Sequence, residues 1–193
     1  MNETIILVGG GGHCKSVIDV IEQEGKYQII GIVDKYCKPG SSVLGYPVVG
    51  NDDDLPKLAK VHKNDFITIG QIKTAAVRLK IFELTKDAGF NFPNIISPHS
   101  YVSKSALIGR GTIVMHDALI NANTTVGENC IINSKTLIEH DSFIADFCHI
   151  STGTILNGGV RVDFGSFIGS GSIITENSKI KKNSFIKAGS IIK

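Results

Sequence analysis

Residues 126–150 read VGENCIINSKTLIEHDSFIADFCHI, with Val126, Ile132, Ile138, Ile144 and Ile150 at every sixth position. Outward from this stretch, the same spacing of Val, Ile or Leu runs unbroken from Val102 to Ile192. Four residues after each of these, from Ala106 to Ser190, the side chain is small: Ala, Ser, Thr or Cys, with Val160 the largest. A period of six is neither the roughly 3.6 of a helix nor the alternation of a strand, so it marks an internal repeat. Six residues per face and three faces per turn make an 18-residue triangular coil of parallel strands. The aliphatic side chains fill its interior and the small ones fit its tight corners. The reading is a parallel β-helix.

The first ninety or so residues follow another logic. Thr4 to Val8 is a short apolar strand, and Gly9-Gly10-Gly11-Gly12 is a turn. His13 to Glu24 carries Val17, Ile18, Val20 and Ile21 at helical spacing and stops at Gly25, a residue suited to a helix C-terminus. Gln28 to Val33 is a second strand ending at Asp34, Phe66 to Ile69 a further strand, and Thr74 to Ala88 a helix ended by Gly89. Pro93 and Pro98 bracket the passage into the repeat. The expected architecture is an α/β, Rossmann-like βαβ domain over residues 1–95, followed by an all-β coil over residues 96–193.

Composition narrows the class. A net charge of +2 over 193 residues argues against a dedicated nucleic-acid binder. No apolar stretch approaches the roughly 18 residues of a membrane span. Met1-Asn2-Glu3-Thr4 lacks the basic-then-apolar pattern of a signal peptide, so a cytoplasmic protein is expected. Cys14, Cys37, Cys130 and Cys148 form no CxxC pair. Cys130 and Cys148 share the small-residue slot one coil apart, which makes them reduced packing residues.

Two places carry chemistry. In the glycine turn, successive backbone N–H groups at a helix N-terminus suit a phosphate. The dinucleotide fingerprint wants a third glycine where Cys14 stands, so NAD is disfavoured and the pyrophosphate of another nucleotide is expected at Gly10, Gly11 and Gly12. The alternative is a tight turn needing glycine only for its backbone angles. His13 is either a phosphate or sugar ligand or an exposed first-turn residue. Asp34 is either a ligand-reading carboxylate at a strand end or a turn residue. The second place is Ile138-Glu139-His140-Asp141. The repeat accounts for Ile138 but not for a His–Asp pair at the next corner. Imidazole titrates near neutrality and can take a proton from an attacking group, and an adjacent carboxylate can orient it. Gly158 lies one coil on, beside His140, where its N–H can donate to an oxyanion. His149 is half a coil from His140. It is either a solvent-facing strand residue or part of a site completed by a second subunit. His116 projects from another corner. Lys179, Lys181, Lys182, Lys187 and Lys193 make the last coil basic, either to attract a phosphorylated cofactor or as a solvated end.

The glycine run closed by His13, the Val33-Asp34 strand end and the coil containing Ile138-Glu139-His140-Asp141 together resemble the sugar O-/N-acyltransferases of the sialic-acid O-acetyltransferase type. The bacterial UDP-4-amino-sugar N-acetyltransferases are of this type. The likeness runs over nearly the whole chain, including the stretches 114–123 and 131–141. It implies a homotrimer of left-handed β-helices with active sites between subunits, acetyl-CoA as donor, no metal, and a UDP-linked amino sugar held by the N-terminal domain. His140 then matches the general base and Asp141 its acidic neighbour. Asn133 matches a residue near the acetyl group, His149 a second active-site histidine, and Gly158 a backbone donor to the thioester carbonyl. His13 and Asp34 match contacts to the sugar nucleotide. Two departures stand out. Relatives continue into a Gly-x-Pro-Ala tail where this sequence ends in Ala-Gly-Ser-Ile-Ile-Lys, so an uncapped last coil is expected. Gln71-Ile72 replaces their usual asparagines. The implied reaction is direct N-acetylation, with sialic-acid-type O-acetylation the near alternative. From other classes, a gamma-carbonic-anhydrase-like zinc enzyme would use His116, His140 and His149. A non-catalytic sugar-nucleotide-binding scaffold would use the glycine turn alone.

Overall fold

A computed structural model describes residues 3–38 and 40–193 and divides the chain into two compact units. Of the N-terminal residues Met1-Asn2-Glu3-Thr4 read above, Met1 and Asn2 lie outside the described residues.

The first unit takes in residues 1–70 and 76–93. Its strands are β1 (Glu3–Val8), β2 (Tyr27–Val33), β3 (Ser42–Val43), β4 (Tyr46–Gly50) and β5 (Asn64–Ile67). Its helices are α1 (Gly12–Glu24), α2 (Leu55–Ala59) and α3 (Ala76–Ala88). The sheet order is β3-β4-β2-β1-β5, parallel except for the short β3–β4 pair. β1 and β5 are buried along most or all of their length, as a sheet covered on both faces requires. α1 buries Cys14, Val17, Ile18, Val20 and Ile21, and Gly25 closes it at φ 69° by donating to the Ile21 carbonyl. The chain goes from β1 to β2 on one side and later returns to β5 on the other. The carboxyl end of β1 is therefore the point where strand order reverses, which is where open α/β sheets bind ligands. Two carbonyls at and just after the end of the neighbouring β5, those of Ile67 and Ile69, accept from Nη1 of Arg78, a fully buried arginine that the helical pattern of α3 did not single out.

The second unit takes in residues 71–75 and 94–193. From Ile95–Ile96 to Ile191–Ile192 it is a succession of two-residue strands, each paired in parallel with the strand 18 residues on. They stack into three sheets, one per face. The interior residues Ile120, Ile132, Ile138, Ile144, Ile150, Leu156 and Ile168 are all fully buried. Each contributes roughly 1.5–3 kcal/mol through removal from water.

The small-residue column does more than fit. Thr112, Thr136, Ser142, Thr154, Ser166 and Ser172 donate their hydroxyls to the carbonyl 15 residues on, and Cys130 and Cys148 donate their thiols in the same way. Both cysteines are buried and in no disulfide, and burial pushes the Cys148 thiol up to about 12. A further column escaped the sequence reading. Every sixth residue from Gly111 to Gly189 has positive φ, and most are Gly, Asn or Asp. These residue types enter the left-handed region with least strain. Phe147 at φ 56° is the bulky exception.

Among the described residues, no helix is long and apolar enough to cross a membrane.

Candidate active site

In the first unit the glycine turn leaves β1 and enters α1. Gly9 sits at φ 114°, and a Cβ there would lie 2.5 Å from Ile69 Cγ1, so this glycine is demanded by the fold. Gly11 and Gly12 differ: a Cβ at either would meet nothing within 4 Å, and neither has positive φ. The N-terminus of α1 also has no side-chain cap. Open space and uncapped helix-end donors suit an approaching anion.

Asp34 is held by the backbone around it. Gly10 N–H donates to its Oδ2 at 2.6 Å, while Tyr36 and Cys37 N–H donate to its Oδ1 at 2.7 and 2.9 Å. Burial alone would raise the Asp34 carboxyl, but these N–H groups outweigh it and hold the group below its usual range. Asp34 is thus the organiser of the turn, and the Gly10 N–H is already committed to it.

In the second unit His140 and Asp141 stand on one corner of the coil, with side chains 61% and 56% exposed. Asp141 occupies the left-handed position at φ 61°. His140 Nδ1–H donates to Asp141 Oδ2 at 2.8 Å. The bond to Asp141, reinforced by the charges of Asp141 and Glu139, holds the imidazole above its ordinary range despite slight desolvation. Asn123 Nδ2 donates to Asp141 Oδ1 at 2.7 Å; with the bond from His140, this keeps the carboxyl below its usual range.

With Nδ1 engaged, the neutral ring presents its lone pair at Nε2. Gly158 lies against that atom: a Cβ at 158 would come within 3.0 Å of Nε2 and 2.9 Å of Cε1. A side chain at 158 would push the ring from this position. Among the described residues the Gly158 N–H has no protein partner, while the neighbouring Gly159 N–H is taken by the His140 carbonyl. The corner opens into a cleft lined by Glu139, His140, Asp141, Gly158, Glu176 and Asn177.

His149 is 8% exposed, not the solvent-facing residue that was one of its two readings. Its Nδ1–H donates to the Gln71 carbonyl at 2.6 Å, so Nε2 is the acceptor, and Asn133 Nδ2 donates to it at 3.2 Å. The Phe167 ring meets it edge-on at 5.2 Å. Asn133 Oδ1 in turn accepts from Ser134 N–H. Gln71 belongs to the segment 71–75 that joins this unit, and its side-chain amide donates to the Phe147 and Gly165 carbonyls. The structure therefore joins His140, Asp141 and Gly158 at one corner and Asn133 with His149 at another.

The sequence reading gave Asn121 and Asn123 no role of their own, and it named Gln71 only as a departure from the relatives. The two asparagines had a signal: they lie 18 residues before Glu139 and Asp141, and Asn121 Nδ2 donates to Glu139 Oε2 at 2.7 Å. Gln71 had none, since its partners are remote in sequence.

Comparison with known proteins gives the arrangement a context. Residues 4–84 match the PglD N-terminal domain. A His-to-Asn variant of perosamine N-acetyltransferase from Caulobacter crescentus, solved with CoA and GDP-perosamine, superposes with a TM-score of 0.93. It is 33% identical, over 98% of this chain and 88% of that one. The acetyltransferase domain of PglB from Neisseria gonorrhoeae, solved with acetyl coenzyme A, gives 0.90 at 29% identity, over 100% of this chain and 93% of that one. An uncharacterized protein of Acanthamoeba polyphaga mimivirus is 32% identical over 110 residues, 57% of this chain. The chain spans about a fifth (21%) of that curated relative. Identity of one third across nearly the whole length, on the same coil, leads to one conclusion: the chain belongs to the nucleotide-sugar N-acetyltransferases of the left-handed β-helix family.

Proposed function

We propose that the chain acetylates the amine of a nucleotide-linked amino sugar, with acetyl-CoA as donor, by direct transfer at His140. The observation that carries this reading is the exposed His140–Asp141 pair with Gly158 against Nε2. It occurs in a chain one-third identical to an enzyme solved with CoA and GDP-perosamine.

Each residue has a task. His140 Nε2 takes the proton of the amine as its nitrogen attacks the thioester carbonyl. Asp141 keeps the proton of the ring on Nδ1 and favours the imidazolium that forms. Gly158 N–H donates to the oxygen that gains charge. The carbon–sulfur bond then breaks, and the imidazolium supplies the proton that the leaving thiolate needs. No side chain is poised as a covalent nucleophile at this corner, because Cys130 and Cys148 are buried in the corner slots. In the first unit, Gly11, Gly12 and His13 at the start of α1 would meet the diphosphate, with Asp34 and Gly10 holding the turn in shape.

A homotrimer with sites between copies fits the surface of the coil. The outward column Tyr101, Leu119, Leu137, Ile155, Ile173 and Ile191 is an apolar stripe on one face, and Tyr101 and Ile191 are exposed at its ends. His140 stands at the corner on one side of that face and Asn133 at the corner on the other. Side-by-side packing would bring one copy's His140 to a second copy's Asn133 and His149. A cytoplasmic location follows from the donor and the activated sugar.

The test is thiol release from acetyl-CoA against GDP- and UDP-linked 4-amino sugars and free sialic acids. Turnover with a nucleotide amino sugar is expected, and the preferred base fixes the nucleotide. Turnover with sialic acid alone would make the chain an O-acetyltransferase. Nucleotide-sugar binding without turnover would make it a scaffold.

A further inference from the structure

Asp141 can orient His140 only if its own side chain is held. It is more than half exposed, and an exposed carboxylate on a corner rotates into water. The structure shows what opposes this. Asn123 occupies the same left-handed corner position one coil below, at φ 58° against 61° for Asp141. Stacking at the strand spacing brings its amide under the carboxylate, and Nδ2 meets Oδ1 at 2.7 Å while Oδ2 meets the imidazole. Asn123 is itself steadied from the coil beneath, where Ser105 Oγ accepts its backbone N–H at 3.1 Å.

The other carboxylates at the cleft, Glu139 and Glu176, each face an amide of their own, from Asn121 at 2.7 Å and Asn157 at 3.4 Å. Asn123 is therefore reserved for Asp141. An amide suits this place better than a cation would. Lysine or arginine there would fix the carboxylate but offset its charge, weakening its hold on the imidazolium.

The geometry points to Asn123 as a positioning residue, one that fixes the rotamer of Asp141 so that its second oxygen faces His140 Nδ1. The inference rests on His140 being the base, yet it is testable without turnover.

The variant to make is Asn123→Gly. It removes the amide while keeping a residue at ease in the left-handed region, so the corner retains its shape. The midpoint of His140 would be followed by NMR with labelled histidine, assigned against His140→Ala, beside the pH profile of kcat/KM. In Asn123→Gly the midpoint is expected to fall toward that of free imidazole, and the acidic limb of the profile to move to lower pH with it. The same change should lower kcat by roughly tenfold with the KM for the acceptor unchanged. Asn123→Asp, which keeps the size but sets a like charge against Asp141, should lose at least as much in kcat. A folded Asn123→Gly protein whose His140 midpoint is unchanged or raised would overturn the proposal. A lowered midpoint in a protein that turns over no nucleotide amino sugar would uphold it while overturning the proposed function.

Discussion

His140 and His149 lie nine residues apart on one coil and put the same ring to opposite uses. His140 is exposed, bound at Nδ1 by a carboxylate and left with Nε2 facing a glycine. His149 is buried, and both of its nitrogens are taken, one by a backbone carbonyl and one by an amide. The first can gain and lose a proton with little rearrangement. The second would have to break its bond from Asn133 before Nε2 accepted one. The open Nε2 is what suits His140, rather than His149, to the role of base.

The sharpest test of this contrast is to remove each ring. His140→Ala should lower kcat by roughly a hundred- to ten-thousand-fold and leave Tm nearly unchanged, since the ring is exposed. Thiol release and a thermal melt read both. His149→Ala should do the reverse and act first on stability, by about 2–4 kcal/mol. It empties a buried site and strands the Gln71 carbonyl and the Asn133 amide. Equal losses of activity at unchanged stability would erase the distinction.

Burial without a charged partner can be followed further at Asp65 in the first unit. This carboxyl is fully buried on β5; burial pushes it up to about 8 from an ordinary 3.8, although Thr85 partly opposes the shift. The raised value sets the sign. At low pH both folded and unfolded forms are protonated and nothing is lost. As pH rises through 3.8 the unfolded carboxyl ionises while the folded one cannot, and stability falls until about 8. Asp65→Asn should therefore stabilise the protein at neutral pH and flatten this part of the pH–stability curve. A denaturant series at several pH values measures it.

The smallest expected effect is at the proposed catalytic corner itself. As the proposed base His140 must be neutral to act, so kcat/KM should rise as pH climbs through a midpoint held above the ordinary imidazole range. Asp141→Asn should move that limb to lower pH. An unmoved limb would mean that the carboxylate contributes nothing to the base.

The six-residue period makes the coil readable because each interior position repeats the same environment. For the same reason Gly158 could be placed beside His140 by counting. The left-handed column was equally periodic, yet its Gly, Asn and Asp residues are interrupted by Lys135 and Phe147, and no single residue type marks it. Asp34 was seen as a strand-end carboxylate, but its hold on Gly10 depends on the path of the loop through Tyr36 and Cys37. The segment 71–75 was unreadable, because only the folded coil supplies the Phe147 and Gly165 carbonyls that Gln71 meets. Local pattern reveals residues that answer to their neighbours in sequence or to their counterparts one period away. Residues that answer to distant chain stay hidden.

The triangular coil also sets which insertions and deletions this half of the chain can bear. Losing 18 residues would remove one storey and leave every column above it in line. Losing six would keep the aliphatic interior intact yet turn everything above by a third of a revolution. An upper residue such as Gly158, cut off from its rung-mate in this way, would then stand over the wrong corner. Such a chain is expected to fold and melt normally yet be inactive, because its alignment with the proposed base would be gone while its hydrophobic pattern remained complete.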